Sequence, residues 1–166
     1  IKNGNIVLAG HLHLPDYNSK SAIIIVGGRG CYSNNTEFNL YGKLLRKYGM
    51  SVLVLNKRGN GKSTGDCSTA SIDDLASDIA QAKSYLENHK NGFEKIGVLG
   101  SSAGGWVMQK ANKKAKFDFM IGVVGPSTSV REQQMQSMVY GIQDFDLPVS
   151  VKPDLVEYTN LMFDAK

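Results

Sequence analysis

No apolar run in these 166 residues approaches the length of a membrane span, and there is neither an internal repeat nor a low-complexity tract. A helical membrane protein, a solenoid and a disordered chain are therefore not expected. Cysteine is sparse: Cys31 and Cys67 have no metal-ligand spacing and no disulfide framework around them, so the redox compartment stays open. No signal peptide is visible, yet the first residue is Ile1 rather than methionine. That start is compatible with a leader removed upstream, and cytoplasmic and exported locations both remain open. Positive charge is scattered, at a net +4, except for Lys110, Lys113, Lys114 and Lys116. No aromatic residues interleave with those four lysines, which read as a solvated helix end and loop, so neither a nucleic-acid nor a membrane partner is expected.

What is present is ordinary for one globular domain with a real core: 42% apolar and 20% charged residues. Asn5 to Leu14 alternates around Gly10 as a short antiparallel edge strand or hairpin would. Ala22 to Val26, Ser51 to Leu55, Ile96 to Gly100 and Phe119 to Val124 are short apolar runs suited to strands buried on both faces. Between them lie helical patterns. One starts at Thr36 and stops at Gly49, one is capped by Ser71 with Asp73 and Asp74 in its first turn, and one runs from Gly104 to Asn112. Strand and helix alternate, which predicts a parallel sheet with helices on both faces. After Pro126 the pattern changes to a Gln-rich helix with Met135, Met138, Val139 and Ile142 on one face, and Pro148 and Pro153 interrupt the remainder of the chain.

The chemistry-bearing stretch is Gly100-Ser101-Ser102-Ala103-Gly104, where an apolar strand stops at a serine. A sharp strand-to-helix turn lifts a serine out of a sheet only if almost no side chain stands two residues to either side, and Gly100 and Gly104 meet that demand around Ser102. The same register on Ser101 would place Leu99 and Ala103 there, so Ser102 is the candidate nucleophile. Gly27-Gly28-Arg29-Gly30 follows the first buried strand, where a G-x-S-x-G protein finds its second oxyanion donor. The Arg29 and Ala103 amides are the candidate pair, with Gly28 as the alternative donor.

Gly59-Asn60-Gly61-Lys62-Ser63-Thr64 looks superficially like a phosphate loop. The first glycine of G-x-x-x-x-G-K-[ST] would fall on Asn56, and the next helix waits until about Ser71, so no helix N-terminus stands behind the loop. It is read as structural, with Arg58 tying turns together. No cofactor or metal is implied.

Four stretches, GHLHLP, IIIVGGRG, VLVLNKRGNGKSTGD and IGVLGSSAGGW, resemble in order and spacing the N-terminal part of an α/β-hydrolase. The similarity is to the branch holding dienelactone-hydrolase-like and serine-aminopeptidase-like proteins, and GPSTSVREQQ resembles the start of that branch's cap. Asn56 departs from the aspartate common before Lys-Arg-Gly. The resemblance implies a mostly parallel, doubly wound sheet whose C-terminal strands are missing, with core residues 1–129 and a helical cap beginning over 130–166. It further implies a serine hydrolase acting on carboxylic esters, small peptides or amides through an acyl-enzyme on Ser102. Acyl transfer or thioester cleavage on the same turn, or a catalytically dead binding module, are the alternatives.

A triad needs a histidine after the serine in this family's order, and all three histidines precede Ser102. His89 ends a crossover helix roughly 27 Å long at about 1.5 Å per residue, which puts it at the opposite edge of the sheet. His11 and His13, two apart on an early strand, read as structural. Asp144, Asp146 and Asp154 follow no convincing strand, so no acid is assigned. The expectation is that a C-terminal segment of the same protein completes the site.

Overall fold

A computed structural model describes residues 1–32, 36–144, 146 and 148–164, without the side chain of residue 144. It divides into two compact units, Ile1–Gly125 and Pro126–Lys166.

In the first unit a two-stranded hairpin, β1 (Lys2–Asn3) and β2 (Ile6–Val7), precedes a five-stranded sheet. The expected single early element is thus two: the hairpin turns at Gly4, whose φ of 58° suits glycine, and β3 (Gly10–His13) starts separately. The sheet continues with β4 (Ser21–Val26), β5 (Ser51–Leu55), β6 (Lys95–Ser101) and β7 (Phe119–Val123), in the spatial order β3-β5-β4-β6-β7. β3 is antiparallel to β5, and every other pairing is parallel.

The period of two along β4 distributes its side chains to two cores. Ala22, Ile24 and Val26 join Leu53, Leu55, Ile96 and Val98 beneath helices α2 (Ile72–Glu87) and α3 (Gly104–Ala115). Ile23 and Ile25 join Val52, Val54 and Leu99 on the other face, where Tyr41 and Leu45 of α1 (Leu40–Lys47) cover them. Ile23 and Ile24 are completely buried, each contributing about 1.5–3 kcal/mol.

The helices start where a side chain accepts their first amides. Asn39 accepts from the Gly42 amide at 3.2 Å, so α1 begins at Leu40 rather than near Thr36. Ser71 and Asp74 form a reciprocal capping box on α2. Gly49, at φ 82°, follows α1 as the pattern expected.

One strand differs from expectation. Phe119 to Val123 is not buried: Met120 and Ile121 are 41% and 40% exposed, because among the described residues β7 has a neighbour on one side only, β6.

The second unit contains α4 (Val130–Asp144) and α5 (Lys152–Asp164). Glu132 and Ser129 exchange hydrogen bonds in a capping box at the start of α4, and those donors, with the Thr128 hydroxyl first, lower the Glu132 pKa to about 2. Arg131 joins α4 to Asp164 and Asn160 on α5. Pro153 does not break the chain as expected. It lies in the first turn of α5, where a missing N–H costs nothing. No helix among the described residues is long and apolar enough to cross a membrane.

Candidate active site

The connections reverse direction at β4: β5 lies to one side of it and β6 to the other. In an open parallel sheet the crevice forms at such a reversal, beyond the carboxyl ends of the strands. Gly27–Gly30 leaves the end of β4 there, and Ser102 leaves the end of β6.

Ser102 is exposed and held at φ 51°, a conformation costly for any residue but glycine. Its amide donates to the Val123 carbonyl at 3.0 Å, and its carbonyl accepts from the Gly105 amide at 2.8 Å as α3 begins. The flanking glycines are sterically required. A Cβ on Gly100 would lie 2.5 Å from the Gly104 carbonyl oxygen, and one on Gly104 would lie 2.5 Å from the Val26 carbonyl oxygen. Ala103, in helical conformation, stands directly ahead of α3. Gly28 faces the serine: a Cβ there would approach Ser102 Cβ to 3.2 Å and Oγ to 3.6 Å. Arg29 is exposed in the same loop. The fold therefore brings Ser102, Ala103, Gly28 and Arg29 together.

Sequence reasoning singles out Arg58 in the loop after β5, but its neighbour Lys57 is the side chain that grips the glycine loop. Its Nζ donates to the carbonyls of Gly28 at 2.5 Å and Gly30 at 3.0 Å, and burial holds its pKa below the ordinary lysine value. The one signal for Lys57 in the sequence is its position two residues beyond a buried strand. Lys57, Asn56, Asp78, Leu75 and Val107 are among the residues lining a cavity of about 30 Å³.

Arg58 ties turns together as expected. Its Nε and Nη2 donate to Asp78 at 2.9 and 2.8 Å, Nη1 lies 3.2 Å from Asp74, and the buried Asp78 carboxylate raises the Arg58 pKa. In the glycine-rich loop the Ser63 hydroxyl accepts from the Ala9 amide and donates to the Asn56 carbonyl, and Thr64 pairs with Val7. The hydroxyls that looked available for phosphate fasten the loop to the N-terminal segment.

Cys31 and Cys67, around which the sequence shows no disulfide framework, form a disulfide with Cα atoms 5.6 Å apart. Residues 36 apart in sequence meet because both follow neighbouring strands, β4 and β5, at the same end of the sheet. Such pairing depends on strand order, which spacing does not encode.

The histidines are elsewhere. His11 and His13 lie on β3, three strand spacings from β6, about 14 Å across the sheet. His13 is buried against Gly42 and donates from Nε2 to the Thr36 carbonyl at 2.7 Å; desolvation lowers its pKa. His89 stacks on Phe93 just before the amino end of β6, the end opposite Ser102. Asp146 and Asp154 belong to the second unit, and the Asp144 side chain lies outside the described residues.

This arrangement defines an α/β-hydrolase fold. Residues 17–150 match the family described as serine aminopeptidase, S33, and the chain belongs to that family. The fold is similar to a carboxylesterase of the thaumarchaeon Nitrososphaera gargenis, with 18% identity, a TM-score of 0.64 and coverage of 82% of this chain and 49% of that one. An esterase of Pyrococcus furiosus matches at 22% identity and TM-score 0.59 over 84% and 52% of the two chains. A proline iminopeptidase of Mycobacterium smegmatis matches at 16% identity and TM-score 0.61 over 96% and 53%. The chain thus spans about half the length of these solved structures. Among curated protein sequences it has no match.

Proposed function

We propose that this chain carries the nucleophile and oxyanion-binding half of a serine hydrolase acting on carboxylic esters, small peptides or amides. The observation that supports it best is the exposed, left-handed Ser102 with Gly28 against it. Ser102 Oγ attacks the substrate carbonyl carbon and gives its proton to a histidine base. The Ala103 and Arg29 amides hold the oxyanion, and collapse expels the protonated alcohol or amine, leaving an acyl-enzyme that water hydrolyses. The base and its acid come, in this reading, from a C-terminal segment of the same protein, and residues 130–166 begin a cap. The family and the esterase and peptidase neighbours favour this substrate class.

A fluorophosphonate probe tests the reading on the intact gene product. Labelling that disappears in Ser102→Ala supports it. An intact protein that takes no label and cleaves no activated ester is instead a catalytically silent binding module. Residues 1–166 alone should turn over far more slowly than the intact protein, and equal rates would contradict the assignment of the base.

A further inference from the structure

We infer that Lys57 is a positioning residue for the oxyanion donor, acting by pinning the Gly28–Arg29 peptide from behind. The inference rests on the hydrolase reading of Ser102. Gly28 C=O and Arg29 N–H belong to one peptide unit, and no peptide among the described residues is cis. In a trans peptide the two groups point in opposite directions. The β4 loop has the β5 loop on one flank and the β6 turn on the other. Lys57 lies on the β5 side and draws the Gly28 oxygen towards itself at 2.5 Å. The Arg29 N–H is thereby turned towards the β6 side, where Ser102 stands. Glycines at 27, 28 and 30 leave the backbone of this loop conformationally permissive, so the grip on the Gly28 oxygen bears directly on which way the peptide faces. The ammonium charge also polarises the amide it holds, which strengthens the N–H as a donor to developing negative charge. A second contact to the Gly30 carbonyl at 3.0 Å and the Cys31–Cys67 disulfide run to the same flank. The loop is thus tied on the side away from the serine, with Gly28 facing Ser102 on the other.

The test uses the intact protein with Lys57→Met, Lys57→Arg and Ser102→Ala. Lys57→Met should lower kcat by about 10- to 100-fold, below the roughly 10²–10³ for deletion of an oxyanion donor itself. KM should stay within about threefold, since the oxyanion forms only in the transition state. Affinity for a boronate that forms a tetrahedral adduct should fall in parallel with kcat, and Lys57→Arg should recover most of both. A direct readout is available because Gly28-Arg29 is the only Gly-Arg step in the sequence. With [1-¹³C]glycine and [¹⁵N]arginine, a carbonyl-to-amide NMR experiment returns that one peptide. The boronate should move its amide proton downfield in the wild type and much less in Lys57→Met. Unchanged kcat and boronate affinity in Lys57→Met would overturn the inference while leaving the Ser102 reading intact. Turnover surviving in Ser102→Ala would remove that reading and this inference with it. Should Lys57→Met fail to fold, the wild-type spectrum decides: an Arg29 amide that does not respond to the boronate overturns the assignment.

Discussion

Ser102 and Val124 are both left-handed, at φ 51° and 44°, and each directly follows one member of the registered pair Ser101 and Val123 on neighbouring parallel strands. The Ser102 amide is bonded to the Val123 carbonyl, so the two turns are joined at their bases. In the proposed function Ser102 has a chemical reason to be so held. Val124, a β-branched residue 85% exposed, carries the same strain with no compensating burial. Backbone strain of this kind costs about 1–3 kcal/mol. Val124→Gly should relieve more than the glycine's added chain entropy removes, for a net gain of about 1 kcal/mol. Thermal unfolding should then shift up by roughly 2–4 °C, and a downward shift would contradict the strain assignment.

Gly28 and Gly104, which flank the serine turn, should respond differently to alanine. In Gly28→Ala the new methyl meets the Ser102 side chain at 3.2 Å, which a small displacement relieves. Fluorophosphonate labelling of the intact protein should slow at least tenfold while the fold stays cooperative. In Gly104→Ala the methyl meets the Val26 carbonyl oxygen at 2.5 Å, and backbone must move. A loss of about 2–3 kcal/mol in denaturant melts is expected.

The disulfide joins residues 36 apart. Closing a loop of that size in the unfolded chain stabilises by about 2–4 kcal/mol. Cys31→Ser with Cys67→Ser should lower the unfolding midpoint accordingly, and wild-type protein held in a reductant should melt with the double variant. Thiol titration of unreduced, denatured protein should find no free cysteine.

His13 gives stability a pH dependence of defined sign. Its folded pKa is lowered from the ordinary 6.5 chiefly by burial; His11, Arg46 and Lys43 push the same way, and the Thr36 carbonyl opposes them. Between the lowered folded value and 6.5 the unfolded chain binds more protons, so stability rises with pH there and is lost on acidification. The His13 contribution is therefore complete above 6.5 and declines below it. Imidazole NMR titration should give His13 a midpoint under 6.5, and denaturant midpoints should fall over the same range. A midpoint above 6.5 would reverse the argument.

Much of the fold was legible because its rules are local. Ser51 to Leu55 is a strand end to end, the Ser71 cap lies where serine and two aspartates mark it, and Gly49 follows a helix in the conformation that glycine permits. Errors arose where a local signal has two outcomes. Pro153 breaks a helix interior but fits a first turn, and the apolar Phe119 to Val123 reads as buried whether or not a neighbouring strand covers it.

The sequence by itself determined the alternation of strands and helices and the serine at the end of an apolar strand with Gly100 and Gly104 two residues to either side, because those demands are met within a few neighbouring residues. Only the tertiary structure decided which distant groups meet. Lys57 reaches the Gly28 carbonyl across 29 residues, Cys31 pairs with Cys67 across 36, and the Thr64 hydroxyl serves Val7 across 57. The first two meetings depend on β4 lying beside β5 and the third on β3 lying beside β5, pairings between strands far apart in the chain that no local pattern of residues encodes.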